Sequence, residues 1–203
     1  MKDGLTEIIC ILDESASMSA VWDEAITGFN LFITEQKKIA GEAKVTVTFF
    51  NTEYRIEHNG VPLDTIPELT RYNYDPHGMT ALLDAIGRTI DTVGVRLHTT
   101  PEEEKPEKVI MVILTDGEEN SSKEYTRPML LDKINHQRDT YKWEFVFLAA
   151  NQDAFAAGSK IGVHHVSNFR ATPDGTRKAY MCAARAVASY RDTGQMGPVT
   201  DVQ

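Results

Sequence analysis

Apolar residues along the chain fall into two alternating rhythms. Ile8-Ile9-Cys10-Ile11-Leu12 is an unbroken apolar run rich in β-branched residues, the pattern of a strand covered on both faces. Trp22, Ile26, Phe29 and Ile33 then recur at spacings of four, three and four, which marks one face of an amphipathic helix ending near Gly41. From Lys44 to Asn51, Val45, Val47 and Phe49 alternate with Thr46, Thr48 and Phe50, a second strand. Asn51-Thr52 turns the chain at once into a third, Tyr54 to Val61. So short a link implies an antiparallel hairpin at a sheet edge.

Pro62, Pro67, Pro76 and Gly78 make 62–79 a loop, after which Leu82, Leu83, Ile86, Ile90, Val93 and Leu97 share one helical face. Residues 99–106, with Glu102-Glu103-Glu104, form an acidic surface loop flanked by prolines. Val109 to Leu114 is the most hydrophobic run and is expected as the central strand. A helix over 127–139, a strand over 145–149, a short helix over 153–159 and a short strand over 164–167 follow. The final helix starts at Thr172-Pro173-Asp174, with Thr as N-cap, Pro in the first position and Asp in the first turn, and runs to about Tyr190.

Alternating strands and helices with apolar strands predict an α/β fold of three layers, α/β/α, Rossmann-like. Its central sheet is mainly parallel, with one antiparallel edge strand. Residues 1–190 read as a single domain, and 191–203, which lack periodicity, as a flexible C-terminal tail. At 203 residues the chain can bury its own core without disulfides or a structural metal. Its two cysteines, Cys10 and Cys182, sit in apolar surroundings and read as reduced, buried thiols. The strand-like run begins almost at Met1, leaving no room for a secretory signal, and no apolar run approaches the length of a membrane span. A cytoplasmic protein without membrane contact is expected. The formal net charge of −9 disfavours nucleic acid as a partner and suits a cation or a basic partner better.

In open α/β sheets, ligands bind outside the carboxyl ends of the strands. Here the first strand runs into Asp13-Glu14-Ser15-Ala16-Ser17-Met18 and the central strand into Thr115-Asp116-Gly117, while Gly78-Met79-Thr80-Ala81-Leu82 puts a Thr at a helix start. Two carboxylates and three hydroxyls converge on one rim. These are hard oxygen donors matched to a hard cation such as Mg²⁺, with water completing the shell. Any one of them could merely cap a helix. All five, in this order and context, point to a metal site.

The D-x-S-x-S, later T, later D pattern resembles the von Willebrand factor A domain and its metal-ion-dependent adhesion site, over about residues 5–190. Stand-alone A-domain proteins of bacteria and their phages also have stretches similar to Ala81-Leu82-Leu83-Asp84-Ala85-Ile86-Gly87 and to 147–154, Phe147-Leu148-Ala149-Ala150-Asn151-Gln152-Asp153-Ala154. The resemblance implies that Ser15, Ser17 and Thr80 contact the cation, with Asp13 and Asp116 acting directly or through water. The resident ion would be Mg²⁺, with Mn²⁺ or Ca²⁺ as alternatives. It also implies a protein partner that supplies an acidic side chain to the ion. Adhesion members usually have Gly where Ala16 stands and often where Glu14 stands. Ala16 is tolerated unless the backbone needs positive φ, and Glu14 is expected to point to solvent. The partner-binding rim is read as Glu14, Met18, Tyr72, Tyr74, His77, Glu118, Asn151 and Asp153.

No histidine has zinc-site spacing. G-x-S-x-G, G-x-x-x-x-G-K-[ST] and G-x-G-x-x-G are all absent. A metal-dependent phosphoryl hydrolase of the aspartyl-phosphate type is the alternative to a binding module. It would need a second acid two residues after Asp13, where Ser15 stands. A non-enzymatic, cation-dependent protein-binding module is the expectation.

Overall fold

A computed structural model describes residues 1–150 and 154–199. Six strands form one sheet: β1 (Lys2–Asp13), β2 (Ala43–Phe50), β3 (Tyr54–Pro62), β4 (Pro106–Thr115), β5 (Glu144–Ala150) and β6 (His165–Phe169). Their order is β3-β2-β1-β4-β5-β6. β3 runs antiparallel to β2 at one edge, and every other pairing is parallel. The helices are α1 (Trp22–Lys37), α2 (Leu82–Thr99), α3 (Arg127–Tyr141), α4 (Ala154–Lys160) and α5 (Pro173–Thr193).

The unbroken apolar runs have a direct cause. Ile8, Cys10 and Leu12 of β1 pack on the side of α1 and α5, and Ile9 and Ile11 on the side of α2 and α3. β1 and β4 pair in register, Ile8 with Ile110 and Leu12 with Leu114, so β4 divides its side chains in the same way. With both faces covered there is no polar face for the sequence to alternate with. From β1 the chain crosses to β2 on one side. After the β3 hairpin and α2 it returns as β4 on the other side of β1. The strand order therefore reverses between β1 and β4, and the crevice at their carboxyl ends is where such a sheet offers a binding site.

The termini depart from expectation. β1 begins at Lys2, well before the apolar run, with an irregularity in its pairing to β4 between Lys2 and Thr6. α5 continues to Thr193 and stops at Gly194, which takes the left-handed conformation (φ 73°). Beyond it Gly197 is buried, and Met196 and Val199 pack against the core on the α1 and α5 side. The chain is thus docked as far as residue 199, and residues 200–203 lie outside the described residues. Isolated apolar residues among Gly and Pro carry no periodic signal, which is why this docking was not legible. Among the described residues, no helix is long and apolar enough to cross a membrane.

Candidate metal centre

Asp13 is the last residue of β1 and lies against Thr115, the last of β4, because Leu12 and Leu114 are paired. The Thr115 hydroxyl donates to Asp13 Oδ2, and the Ser15 backbone N–H donates to Asp13 Oδ1 at 2.8 Å. Both carboxylate oxygens are thus engaged by the protein. This folds the chain after β1 back on itself, so that Ser15 and Ser17 present their hydroxyls together, 3.1 Å apart. The Ser17 hydroxyl donates to Asp116 Oδ1 at 2.6 Å. Thr80 enters from the start of α2. A Cβ at Gly117 would lie 2.9 Å from Thr80 Oγ1 and 3.3 Å from Ser17 Oγ, so only glycine leaves that space open between them. The five residues read from sequence as a site therefore converge at the β1/β4 switch point. Asp13, Ser15, Thr80 and Asp116 are buried, and Ser17 is exposed and forms the open side.

Burial raises the Asp13 carboxyl from 3.8 to about 6, against the opposing hydrogen bonds from Ser15 and Thr115, with a smaller upward push from Asp116. Asp116 is raised as well, by burial, with the Ser17 hydrogen bond opposing. Two carboxylates held in low dielectric favour a proton or a cation beside them. Among the described residues no three His, Cys, Asp or Glu side chains gather into a ligand cluster. A metal here would depend on the hydroxyls, whose hard oxygens suit the smaller hard cations.

The Thr80 segment is clamped from three sides. Thr80 N–H donates to Asn120 Oδ1 at 2.8 Å and Asn120 N–H returns a bond to the Thr80 carbonyl at 3.1 Å. Met79 N–H donates to Thr52 Oγ1 (2.8 Å), and Ala81 N–H to the Asn51 carbonyl (2.9 Å). The Gly78 carbonyl accepts from Ala16 N–H, and Gly78 itself takes positive φ (73°) to do so. Glu119 accepts from Ser121 and Ser122 N–H, the Ser122 hydroxyl and Leu83 N–H. It ties the loop after β4 to the start of α2. Asn120 and Thr115 as supports of the site escaped sequence reading, since their roles rest on contacts across tens of residues. The T-D-G-E-E-N run itself was their only local trace.

The rim needs three corrections. Glu14 does not point to solvent: it is 5% exposed, and its carboxylate accepts from Arg55 Nη2 at 3.0 Å and Asp75 N–H at 2.8 Å. It anchors the 70–78 loop, with its charge matched by Arg55. Tyr74 is 1% exposed and donates its hydroxyl to the Asp13 carbonyl at 2.6 Å, buttressing the site from beneath. Met18, also 1% exposed, belongs to the core on the α1 side. The short 3-10 helix Ala16–Val21 between β1 and α1 aims it inward. Tyr72, His77 and Glu118 are exposed. Asn151 and Asp153 lie outside the described residues. Ala16 keeps negative φ, so the missing glycine costs nothing there.

No protein-family model matches this sequence, and no curated protein is similar to it. Solved structures do share its architecture. A von Willebrand factor type A protein from Catenulispora acidiphila superposes with a TM-score of 0.61 at 16% identity, over 91% of this chain and 42% of that one. Proximal thread matrix protein 1 from the mussel byssus, with a zinc-occupied MIDAS motif, gives 0.62 at 15% identity, over 90% and 46%. The D319A mutant of the PilB minor pilin from Streptococcus sanguinis gives 0.64 at 12% identity, over 90% and 61%. This chain spans about half the length of these structures. At such identities the likeness establishes the fold, which is that of a von Willebrand factor type A domain.

Proposed function

We propose that the chain is a divalent-cation-dependent protein-binding module and not an enzyme. The observation that carries this is the convergence of three hydroxyls and two carboxylates, from three separate segments, around the space kept open by Gly117. Ser15, Ser17 and Thr80 would hold the ion with Asp13 and Asp116. Neutral hydroxyl ligands leave much of a cation's charge uncompensated, so a bound ion would attract a carboxylate from a partner. Hard oxygens suit Mg²⁺ or Mn²⁺, whereas Ca²⁺ takes a larger shell. The zinc-occupied motif of the mussel protein supports a divalent ion on this fold. The free, buried thiol of Cys10 suits a reducing compartment such as the cytoplasm. An aspartyl-phosphate hydrolase is less well supported. The second acid it needs, two residues after Asp13, is Ser15 here.

Thermal melting with and without millimolar Mg²⁺ tests the reading. A ligand that binds only the folded state raises the melting temperature by mass action. The wild type should rise and Asp116→Ala should not; equal shifts in both would refute the site. Turnover of a generic phosphate ester, lost in Asp13→Asn, would favour the hydrolase instead.

A further inference from the structure

Beside the candidate metal centre a second cavity of about 280 Å³ opens at the carboxyl ends of β4 and β5. Thr115 and Gly117 line it too, so it adjoins the centre. Leu82, Phe147, Ala149, Ala157 and Ile161 give it an apolar interior. Its size falls just below the range of pockets that enclose whole small molecules, about 300–1,000 Å³, and suits a large side chain instead. A larger cavity of about 390 Å³ lies between α2 and α3 near the start of β4, remote from the centre, and nothing there indicates an occupant.

The lip of the smaller cavity is polarised. Glu118 sits on the side of the candidate metal centre, next to Gly117. Arg127 and Lys160 bring positive charge from α3 and α4. Both are exposed, and neither makes a hydrogen bond or ion pair with any described residue. Glu119, the other acid in the lining, has its carboxylate committed to Ser121, Ser122 and Leu83. Arg127 is also the first residue of α3, with no acidic residue in that turn. The positive end of a helix disfavours a cation, so nothing in the fold itself calls for Arg127 there. Two unpaired cations at the mouth of an apolar cavity, on a chain of net charge −9, are complementary to an anion from outside.

We propose that this cavity is a second anchor for an acidic peptide segment of the partner. One carboxylate of the segment goes to the cation, a following apolar side chain fills the cavity, and a second carboxylate beyond it meets Arg127 and Lys160. The proposal rests on the cation-dependent reading above.

A random-peptide display selection against the full chain tests it without a known partner. Three arms are needed: wild type with Mg²⁺, wild type with chelator, and Arg127→Glu/Lys160→Gln with Mg²⁺. Both substituted side chains are exposed, and the double variant should keep the Mg²⁺-induced melting shift, which shows its fold and centre to be intact. The wild type with Mg²⁺ should enrich peptides carrying two acidic positions around a large apolar one. The double variant should retain the first acid and lose the second. Ala157→Phe, which fills the cavity, should remove the apolar preference. The proposal is overturned if the double variant selects the same two-acid motif, if no apolar position is enriched between the acids, or if no acidic peptide is enriched at all. Enrichment of the same peptides in chelator would refute the cation-dependent reading instead.

Discussion

Replacing Asp13 by Asn should make the metal-free protein more stable while abolishing its response to Mg²⁺. Asp13 is 1% exposed, and burial lifts its carboxyl from 3.8 to about 6. At neutral pH the folded protein therefore holds a buried carboxylate that is ionised less readily than in the unfolded chain. Roughly two pH units correspond to about 3 kcal/mol, an upper bound on the cost. Asn keeps an oxygen for Ser15 N–H and turns its amide toward Thr115 Oγ1. The Thr115 hydroxyl can then donate to the Gly117 carbonyl, 3.2 Å away. Allowing for imperfect repacking, a gain of about 2 kcal/mol is expected, or a rise of about 4–8 °C in Tm for a chain of this size. The pH dependence has a definite sign. Because the folded value lies above the unfolded one, this group favours the folded wild type below 3.8, and that contribution is lost as pH rises through about 6. The variant's advantage should thus be largest at neutral pH and vanish by about pH 4. Asp116 titrates in both proteins and enters the difference only through its smaller coulombic push on Asp13. Melting curves in chelator across that range are the assay, and adding Mg²⁺ at neutral pH should narrow or reverse the order. A variant less stable than wild type at neutral pH in chelator, or an advantage that does not change with pH, would refute the reasoning.

Three further outcomes are expected. Gly117→Ala places a methyl group 2.9 Å from Thr80 Oγ1 and should erase the Mg²⁺-induced melting shift while costing only about 1–2 kcal/mol in chelator; an unchanged shift would place the ion elsewhere. Asn120→Ala removes the acceptor for Thr80 N–H from an exposed side chain, so denaturation should show a loss of about 1 kcal/mol, whereas Mg²⁺ titration should show affinity weakened about 10–100-fold, as when an outer support of a metal ligand is lost. Arg191, 6% exposed, donates to the Gln36 and Gly41 carbonyls at 2.6 and 3.1 Å, so Arg191→Ala should cost about 2–4 kcal/mol in urea titration and leave the Mg²⁺ shift intact. Loss of that shift would reveal coupling between the end of α5 and the centre.

Most of the fold was legible because its signals are local. The apolar runs of β1 and β4, the stripe of α2 and the Thr172-Pro173 cap are written in adjacent residues, and the two-residue link at Asn51-Thr52 is too short for anything but a hairpin. Asp13, Ser15, Ser17, Thr80 and Asp116 were legible for a related reason: each stands at a strand end or helix start that the pattern had already located.

The α/β class, the parallel sheet with one antiparallel edge, and the set of oxygens at the carboxyl ends of its strands are written in local pattern. Which of the neighbouring residues face solvent is not, and depends on contacts made once the chain has folded. Glu14, Met18 and Tyr74 look like rim residues when counted along the chain, yet Arg55, the core on the α1 side and the Asp13 carbonyl claim them. Tertiary structure also brought Asn120 and Glu119 onto the start of α2, and set Arg127 and Lys160 on the lip of one cavity. The physical reason is one of range. Periodicity and capping act within a few residues and leave their mark in sequence, whereas burial and charge pairing depend on which distant segments arrive beside a side chain once the sheet has formed.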